Sequence, residues 1–402
     1  MTDAPGPESE LTLTNVRPWG SAPRDLVLRD GIIAAIVQAG TADTAETHLD
    51  GHGLLALPGF VNAHAHVDKS WWGQPWVPYG GEPTTQGRIA HERAHRDTYG
   101  IPNLHSTVAV LREFLRHGTT AVRSHVDVDL GVGLRGVEVV REAAAALDGA
   151  IDVELVAFPQ DGVIRRPGVL DLLDQAAAAG VTSIGGIDPA SIDRDPVAQL
   201  DGLFDIATRH GTELDIHLHD GDELGAFQVE LIAERTQHAG MQGRVTISHG
   251  FALGQLPRSR QVELVELVHA AGISWATVAP VGHPPLPWPA MRDTGIPLGL
   301  GTDGIRDLWS PYGDGDLLRV ANDFARLHRL RTDAELAQAV AVASTRAAGF
   351  VHRPAHDLTP GARADIVLMD AENVPDALMR APRRELVLAG GRVVTRSGTP
   401  QV

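Results

Sequence analysis

Residues 57–70, LPGFVNAHAHVDKS, carry an apolar run that ends in two histidines, His64 and His66. Side chains alternate between the two faces of a β-strand, so residues two apart point the same way. If residues 59–66 form a strand, the two imidazoles share one face at its carboxyl end. Two neighbouring neutral imidazoles are a natural beginning for a metal site, although solvated or core histidines also produce this short pattern.

Short apolar runs like this one recur along the middle of the chain, where they alternate with stretches of helical pattern. The eight candidate strands are residues 59–66, 119–128, 152–160, 181–188, 213–220, 244–250, 272–280 and 296–303. Eight strand–helix repeats predict an α/β fold of the (β/α)8 TIM-barrel type. In that fold, catalytic groups lie at the carboxyl ends of the strands.

Polar side chains stand at seven of these eight predicted strand ends. They are His64 and His66, His125 and Asp127, Gln160, Asp188, His217, His249 and Asp303. In a closed barrel these side chains converge on one mouth, which makes them candidates for an active site. Strand-end polar residues also cap loops, so their convergence, rather than their polarity, supports the prediction.

The two ends of the chain are rich in short β segments and turns instead of strand–helix repeats. We expect residues 11–56 and 356–402 to meet in one small β-sandwich domain. Residues 57–355 would then form a metal-dependent catalytic barrel. Residues 1–10 mix Pro, Gly, Ser and Glu and are expected to form a disordered tail.

Composition excludes several classes of function. The chain has 402 residues, a formal net charge of −17 and no cysteine. The acidic balance argues against nucleic acid and membrane surfaces as partners, because phosphate contacts need clustered Lys and Arg. The lack of cysteine excludes disulfides, a thiol nucleophile and a cysteine-ligated zinc deaminase.

With no membrane-length apolar run and no recognisable signal peptide, we expect a cytoplasmic protein that acts on a small molecule. A homo-oligomer is an open possibility.

Three imidazoles and one carboxylate, His64, His66, His217 and Asp303, are the candidate ligands of one divalent metal ion. Zn²⁺ and Fe²⁺ accept this set of nitrogen and oxygen donors, and Mn²⁺ or Co²⁺ also suit it. A bound metal lowers the pKa of its water and yields a hydroxide near neutral pH. Asp303 ends the eighth strand, which neighbours the first in a closed barrel, and could take the proton of that water.

Two further residues complete the predicted catalytic set. His249, at the end of the sixth strand, would hydrogen-bond the attacking oxygen and the charge that develops on it. Asp220, within residues 215–223, DIHLHDGDE, would move protons between water, substrate and leaving group. The alternatives are an ordinary strand-end histidine and a loop or N-cap aspartate. His219 is interpreted as an orienting or solvent-facing residue.

Residues 91–95, HERAH, formally match the zinc-protease helix motif H-E-x-x-H. On a helix, both histidines of this motif share one face. However, Arg88, Arg93 and Arg96 are interspersed with them, whereas a protease helix is apolar around its ligands. We therefore interpret the segment as a solvated flap near the barrel mouth.

The order NAHAHVD, AFPQDG, DIHLHD, TISHG and GTDGIRDLW resembles the amidohydrolase superfamily. Within it, the chain is similar to the cytosine deaminase group, which includes relatives that act on triazines and other N-heterocycles. The resemblance runs from about residue 57 to about residue 350. It implies a mononuclear metal site at the four predicted ligands. It also implies that Gln160 reads an amide edge of the substrate ring and that Trp309 lies beside the pocket.

The chain departs from cytosine deaminase near the substrate. Asp220 stands where that enzyme has a glutamate, and Gly304 stands where it has a second aspartate. We expect hydrolysis of a carbon–nitrogen bond that releases ammonia from a small N-heterocycle, such as a cytosine-like pyrimidine or a pterin. The alternative is cleavage of an N-alkylamino group from a triazine-like ring, or of a small amide. A remote alternative is a non-catalytic binding protein.

Overall fold

The computed structural model describes residues 10–42 and 47–402. The predicted disordered tail lies outside these residues, apart from Glu10, which begins the first strand. The chain starts with five short strands. They are β1 (Glu10–Pro18), β2 (Arg24–Arg29), β3 (Ile32–Gln38), β4 (Thr47–Asp50) and β5 (Leu55–Pro58).

Eight parallel strands then pair in sequence order and form the barrel. They are β6 (Phe60–Ala65), β7 (Thr119–Asp127), β8 (Asp152–Phe158), β9 (Ser183–Ile187), β10 (Glu213–Leu218), β11 (Val245–His249), β12 (Ser274–Thr277) and β13 (Leu298–Leu300). Each strand lies within one of the eight predicted segments. The prediction of a (β/α)8 barrel is confirmed.

Helices connect the barrel strands and cover the outside of the barrel. They are α1 (Thr85–His95), α2 (Leu104–Arg116), α3 (Arg135–Ala146), α4 (Val169–Ala178), α5 (Pro196–His210), α6 (Asp222–His238), α7 (Ala252–Gln255), α8 (Arg258–Ala270), α9 (Trp288–Thr294), α10 (Leu317–Leu327) and α11 (Asp333–Val342). A π-helical turn, Pro189–Asp193, follows β9, and a 3₁₀ segment, Thr345–Val351, follows α11.

Local sequence explains where several of these helices begin. Asn103 accepts a hydrogen bond from the backbone N–H of Ser106 at the start of α2. Thr332 and Glu335 form a reciprocal capping box at the start of α11. Such caps satisfy backbone donors that a helix cannot pair internally.

The barrel closes between β13 and β6, and this seam places two predicted metal ligands side by side. The backbone N–H of Asp303 donates to the carbonyl of His64 at 3.0 Å, and Ala65 and Asp303 form a parallel bridge. Gly301 makes this approach possible, because a Cβ atom there would lie 2.3 Å from the His64 carbonyl oxygen.

Both ends of the chain build one nine-stranded sheet beside the barrel. The carboxyl-terminal elements are β14 (Ile366–Met369), α12 (Val374–Arg380), β15 (Arg384–Ala389), β16 (Arg392–Arg396) and β17 (Thr399–Pro400). The strand order is β17-β16-β15-β14-β5-β1-β2-β3, and β4 pairs with β1.

Strand β1 joins the two halves of this sheet. Its first residues pair with β2, and its last residues pair with β5. Leu13, Leu26 and Ile33 from one half share a buried core with Ile366 and Leu388 from the other half. The small β domain made from both termini is therefore present, whereas the predicted domain limits stay a prediction.

No helix within residues 10–42 and 47–402 has both the length and the apolar character that crossing a lipid bilayer requires.

Candidate active site

The four predicted metal ligands meet at the carboxyl end of the barrel. Asp303 Oδ1 lies 3.3 Å from His66 Nε2 and 3.5 Å from His64 Nε2. The ring centroid of His217, near the end of β10, lies 4.7 Å from that of His64. The structure thus brings together three imidazoles and one carboxylate from three separate strands.

Two other histidines lie against this group. The His249 ring centroid is 4.6 Å from that of His64, and the His125 ring centroid is 4.1 Å from it. Donor atoms within 4.8 Å of one another define two overlapping sets. The first set is His64, His66, His125 and His217, and the second is His64, His249 and Asp303. His125, which the sequence placed only at a strand end, is therefore a further candidate ligand.

The buried ring nitrogens fit a metal ion. His64 Nε2, His66 Nδ1 and both ring nitrogens of His217 have no hydrogen-bond partner among the residues that the structure describes. Unsatisfied buried polar atoms are costly and rare. Burial lowers the pKa of His66 and His217 well below the ordinary value. Neutral imidazoles with free lone pairs are what a divalent metal needs.

Two residues that sequence reasoning missed orient His64. Ser248 Oγ donates to Asp215 Oδ1 at 2.6 Å, so it accepts from His64 Nδ1 at 2.9 Å. This arrangement leaves the lone pair of His64 Nε2 for a metal. Burial raises the pKa of Asp215, but His125 and Arg123 outweigh burial and lower it to about 2. Asp215 is thus a carboxylate. Its position two residues before His217, on the same face of β10, was the available sequence signal.

Backbone strain is concentrated at the ends of the strands that carry the site. His249, Asp303 and Asp188 have φ angles of 66°, 59° and 30°. The left-handed region is unfavourable for residues other than glycine and is maintained only where the surroundings enforce it. Each of these residues lies at or shortly after the carboxyl end of a barrel strand, and the side chains of His249 and Asp303 line the cavity.

Asp220 is hydrogen-bonded outside the histidine cluster. Its Oδ2 accepts hydrogen bonds from the backbone N–H of Ser191 at 3.3 Å and from Nε2 of Gln228 at 2.9 Å. Its side chain is not among the described side chains that line the cavity. These contacts join Asp220 to the π-helical turn and to α6, and its proton-transfer role stays a prediction.

His219, interpreted from sequence as orienting or solvent-facing, lines the cavity instead. Its Nδ1 lies 2.8 Å from Asp188 Oδ2, and its ring centroid lies 4.6 Å from that of His249. The spacing of two residues from His217 already indicated a shared strand face. That spacing does not show that the Asp220 carboxylate is hydrogen-bonded to the π-helical turn.

A cavity of about 960 Å³ opens above the histidine cluster, and both predicted substrate-binding residues, Gln160 and Trp309, line it. Helix α1, which contains the HERAH segment, lies beside this cavity. Trp309 Nε1 donates to Glu92 of α1, and Arg93 pairs with Asp161 at 3.0 Å. The histidines of α1 belong to neither donor set among the described residues. Glu92 of the same segment is buried, and the solvated flap stays a prediction.

Comparison with known proteins gives the family of this chain. The model of a family described as "Amidohydrolase family" matches residues 103–395, more than half of the chain. The chain belongs to the amidohydrolase family. It is therefore an enzyme that hydrolyses carbon–nitrogen bonds.

Individual relatives of this amidohydrolase act on ring compounds. The crystal structure of N-isopropylammelide isopropylaminohydrolase from Burkholderia multivorans is 38% identical, covers 98% of this chain and 100% of that chain, and has a TM-score of 0.93. N-isopropylammelide isopropyl amidohydrolase from Pseudomonas sp. is 28% identical over 90% of this chain and 91% of its own length. 5-Methylcytosine deaminase from Klebsiella pneumoniae is 25% identical, with coverage of 97% and 98% and a TM-score of 0.82.

Proposed function

We propose that this amidohydrolase removes an amino or N-alkylamino group from a ring carbon of a small six-membered N-heterocycle. The observation that carries the proposal is the histidine–aspartate cluster at the floor of a cavity with flat walls. Phe158, Gln160 and Trp309 line that cavity, and aromatic and amide planes suit a planar ring. Gln160 and Trp309 line the same cavity as His66, His217 and Asp303, three of the four predicted metal ligands.

An alkylamine is the leaving group that we place first. The 38% identical relative carries an isopropylaminohydrolase name and matches essentially the whole chain. The cavity of about 960 Å³ is near the upper end of the usual range for small-molecule sites, so a ring with a branched alkyl substituent has room. Release of ammonia, the first expectation from the sequence, is the second candidate, and it is supported by the similarity to 5-methylcytosine deaminase.

His64, His66, His217 and Asp303 would hold one divalent cation, with Zn or Fe first and Mn or Co as alternatives. When bound, the cation would supply Lewis acidity and make water nucleophilic near neutral pH.

The remaining chemistry falls to side chains of this chain. The Asp303 carboxylate would accept a proton from the attacking water, and His249 would donate a hydrogen bond to the oxygen that becomes negative at the attacked carbon. His219 takes the proton-carrying role that the sequence suggested for Asp220. Asp188 holds its Nδ1 at 2.8 Å, so Nε2 is the nitrogen that would pass a proton to the departing amine.

The test is a product analysis with metal-loaded enzyme. Pyrimidine, pterin and triazine rings are offered in pairs, with either a free amino group or an isopropylamino group at one carbon, and both ammonia and isopropylamine are quantified. We expect isopropylamine release from at least one ring, and a loss of roughly 100-fold or more in His249→Ala, a loss typical of removing one oxyanion-stabilising donor.

His91→Ala is the matched histidine control, because His91 lies on the flap outside the site, and it should keep its activity. Binding of rings without release of any amine would contradict the proposed reaction. Ammonia as the sole product would support the second candidate.

A further inference from the structure

A buried lysine, Lys69, forms part of the cavity wall three residues after His66. Its side chain is 3% exposed, and its Nζ lies 2.7 Å from Asp127 Oδ1, 2.9 Å from Gln160 Oε1 and 3.6 Å from Glu92 Oε1. Burying an ammonium group is expensive unless charged and polar partners surround it. The neighbouring carboxylates outweigh burial and raise the pKa of Lys69 above its ordinary value, so it is a cation.

This contact decides which way the Gln160 amide points. An ammonium group has three hydrogen-bond donors and no acceptor, so only the amide oxygen of Gln160 can face it. The amide nitrogen, Nε2, must then point elsewhere. Nε2 makes no hydrogen bond to another described residue, it is not a fully buried orphan atom, and Gln160 lines the cavity. The two N–H groups of Gln160 are therefore presented to whatever occupies the cavity.

We propose that Lys69 is a positioning residue that locks Gln160 as a hydrogen-bond donor, so that this edge of the substrate ring must be an acceptor. The proposal rests on the proposed function and narrows its substrate class to amino- or alkylamino-substituted N-heterocycles that also carry an oxo group. A carbonyl oxygen and the adjacent unprotonated ring nitrogen accept from the Gln160 amide. An exocyclic amine at the same place would set donor against donor, an arrangement that recognition sites reject strongly.

The same lysine connects this edge of the cavity to the flap. Glu92 of α1 lies beside Lys69 and also accepts from Trp309 Nε1. Lys69 Nζ lies 6.0 Å from the centre of the Trp309 ring and 5.8 Å from that of Phe158. The Lys69 ammonium group thus lies within hydrogen-bond distance of Gln160 and at cation–π distance from the rings of Phe158 and Trp309. Removing the charge of Lys69 should therefore affect recognition of the substrate ring more than it affects metal binding.

The probes are the mono-N-isopropyl derivatives of three triazines that differ only by replacement of an amino group with an oxo group, and each is named here by its parent ring. Melamine has no oxo group, ammeline has one and ammelide has two. For the unmodified enzyme we expect kcat/KM to rise at least ~10-fold from melamine to ammelide, since each correctly paired donor is worth about one such factor. In Lys69→Met this preference should fall roughly 10-fold, through a higher KM for ammelide, with metal content unchanged.

Two further variants separate positioning from a merely structural role. Lys69→Arg keeps a cation with donors only and should retain most of the preference. Gln160→Glu replaces the N–H donors with acceptors and should favour melamine over ammelide. Arg96→Met is the matched control. Arg96 is also a buried cation of the flap region and pairs with Asp129, but it does not line the cavity, so its loss should leave the preference intact.

The inference fails if Lys69→Met keeps the full preference for ammelide, or if it lowers kcat/KM for all three triazines equally. Failure of the proposed function is a separate result, because it means that no amine is released from any ring. In that event calorimetric titration still decides the inference. Tighter binding of ammelide than melamine, lost in Lys69→Met, would support it, and equal affinities would overturn it.

Discussion

Replacement of His117 by glutamine is expected to change the stability of this amidohydrolase in a pH-dependent way. His117 follows α2, and its ring nitrogens lie 3.2 Å from a Glu113 oxygen and 3.4 Å from an Asp316 oxygen. Arg384 of β15 donates to the His117 carbonyl at 3.0 Å and also pairs with Asp316, the N-cap of α10. One cluster of charges therefore joins the barrel to the β domain.

The size of the effect follows from the pKa of this histidine. Burial lowers the pKa of His117, as does Arg384, but hydrogen bonds to Asp316 and Glu113 outweigh both and raise it from 6.5 to about 9. That interval corresponds to about 3 kcal/mol, at about 1.4 kcal/mol for each pH unit. Because 20% of the side chain is exposed, solvent screening reduces the expected contribution to about 2 kcal/mol.

The sign of the pH dependence is fixed by the direction of this shift. A group whose folded-state pKa is raised stabilises the protein fully below its unfolded-state pKa, and this contribution disappears as the pH rises through the folded-state value. The unmodified protein should therefore exceed His117→Gln in free energy of unfolding by about 2 kcal/mol near pH 6. The difference should shrink between about pH 6.5 and pH 9 and vanish near pH 10.

Denaturant unfolding at a series of pH values measures this difference. His328→Gln is the matched control, because burial lowers the pKa of His328 to about 4, and the residue is neutral throughout the same range. Because unfolded His328 still titrates near pH 6.5, its effect on stability should be constant above about pH 7.5, and below that pH the unmodified protein should lose stability relative to His328→Gln, the opposite sign to His117. A His117→Gln difference that stays constant, or that grows as the pH rises, would refute the reasoning.

Three other predictions concern the metal centre and its support. His64→Ala should lose its bound divalent metal on dialysis while His91→Ala keeps it, as measured by metal analysis, and retention by His64→Ala would contradict the ligand assignment. Ser248→Ala should weaken metal affinity roughly 10- to 100-fold in chelator competition, because His64 loses the partner that sets its tautomer; an unchanged affinity would argue against that role. Gly301→Ala should cost about 1–3 kcal/mol in thermal unfolding, since its Cβ would lie 2.3 Å from the His64 carbonyl oxygen, and an unchanged melting temperature would show that the seam is not tight.

The barrel could be predicted from the sequence because its signal is local and repeated. Each strand is a short apolar run in one continuous segment, and the polar residue at its end lies within a few positions. For residues such as His64 and His217, the local sequence therefore predicts both the strand and the position at its carboxyl end. Because the carboxyl ends of all barrel strands lie at one mouth, the fold alone predicts that these residues converge, even when their side-chain contacts are unknown.

The residues that the sequence did not reveal depend on contacts between distant parts of the chain. Lys69 meets Asp127 and Gln160 across 58 and 91 residues, and nothing near Lys69 distinguishes it from a solvated lysine. The proposal that His219 rather than Asp220 carries the proton has a different origin. Asp220 lies one residue further along the loop, where the π-helical turn below attracts its carboxylate. Spacing alone does not show that turn.

The positions of these two groups separate metal binding from substrate choice. The candidate metal-binding histidines lie on or directly after β6 and β10, whose backbones are held by the barrel ladder, and the Asp303 backbone is hydrogen-bonded to that of His64 across the seam. Lys69 and Gln160 follow their strands on loops, where Lys69 pairs with Glu92 of α1 and Asp161, next to Gln160, pairs with Arg93 of α1. Changes in those loops can therefore alter which ring edge is read without moving the cation site. This separation explains why the sequence pattern predicts candidate metal ligands, whereas substrate recognition depends on contacts between residues far apart in the chain.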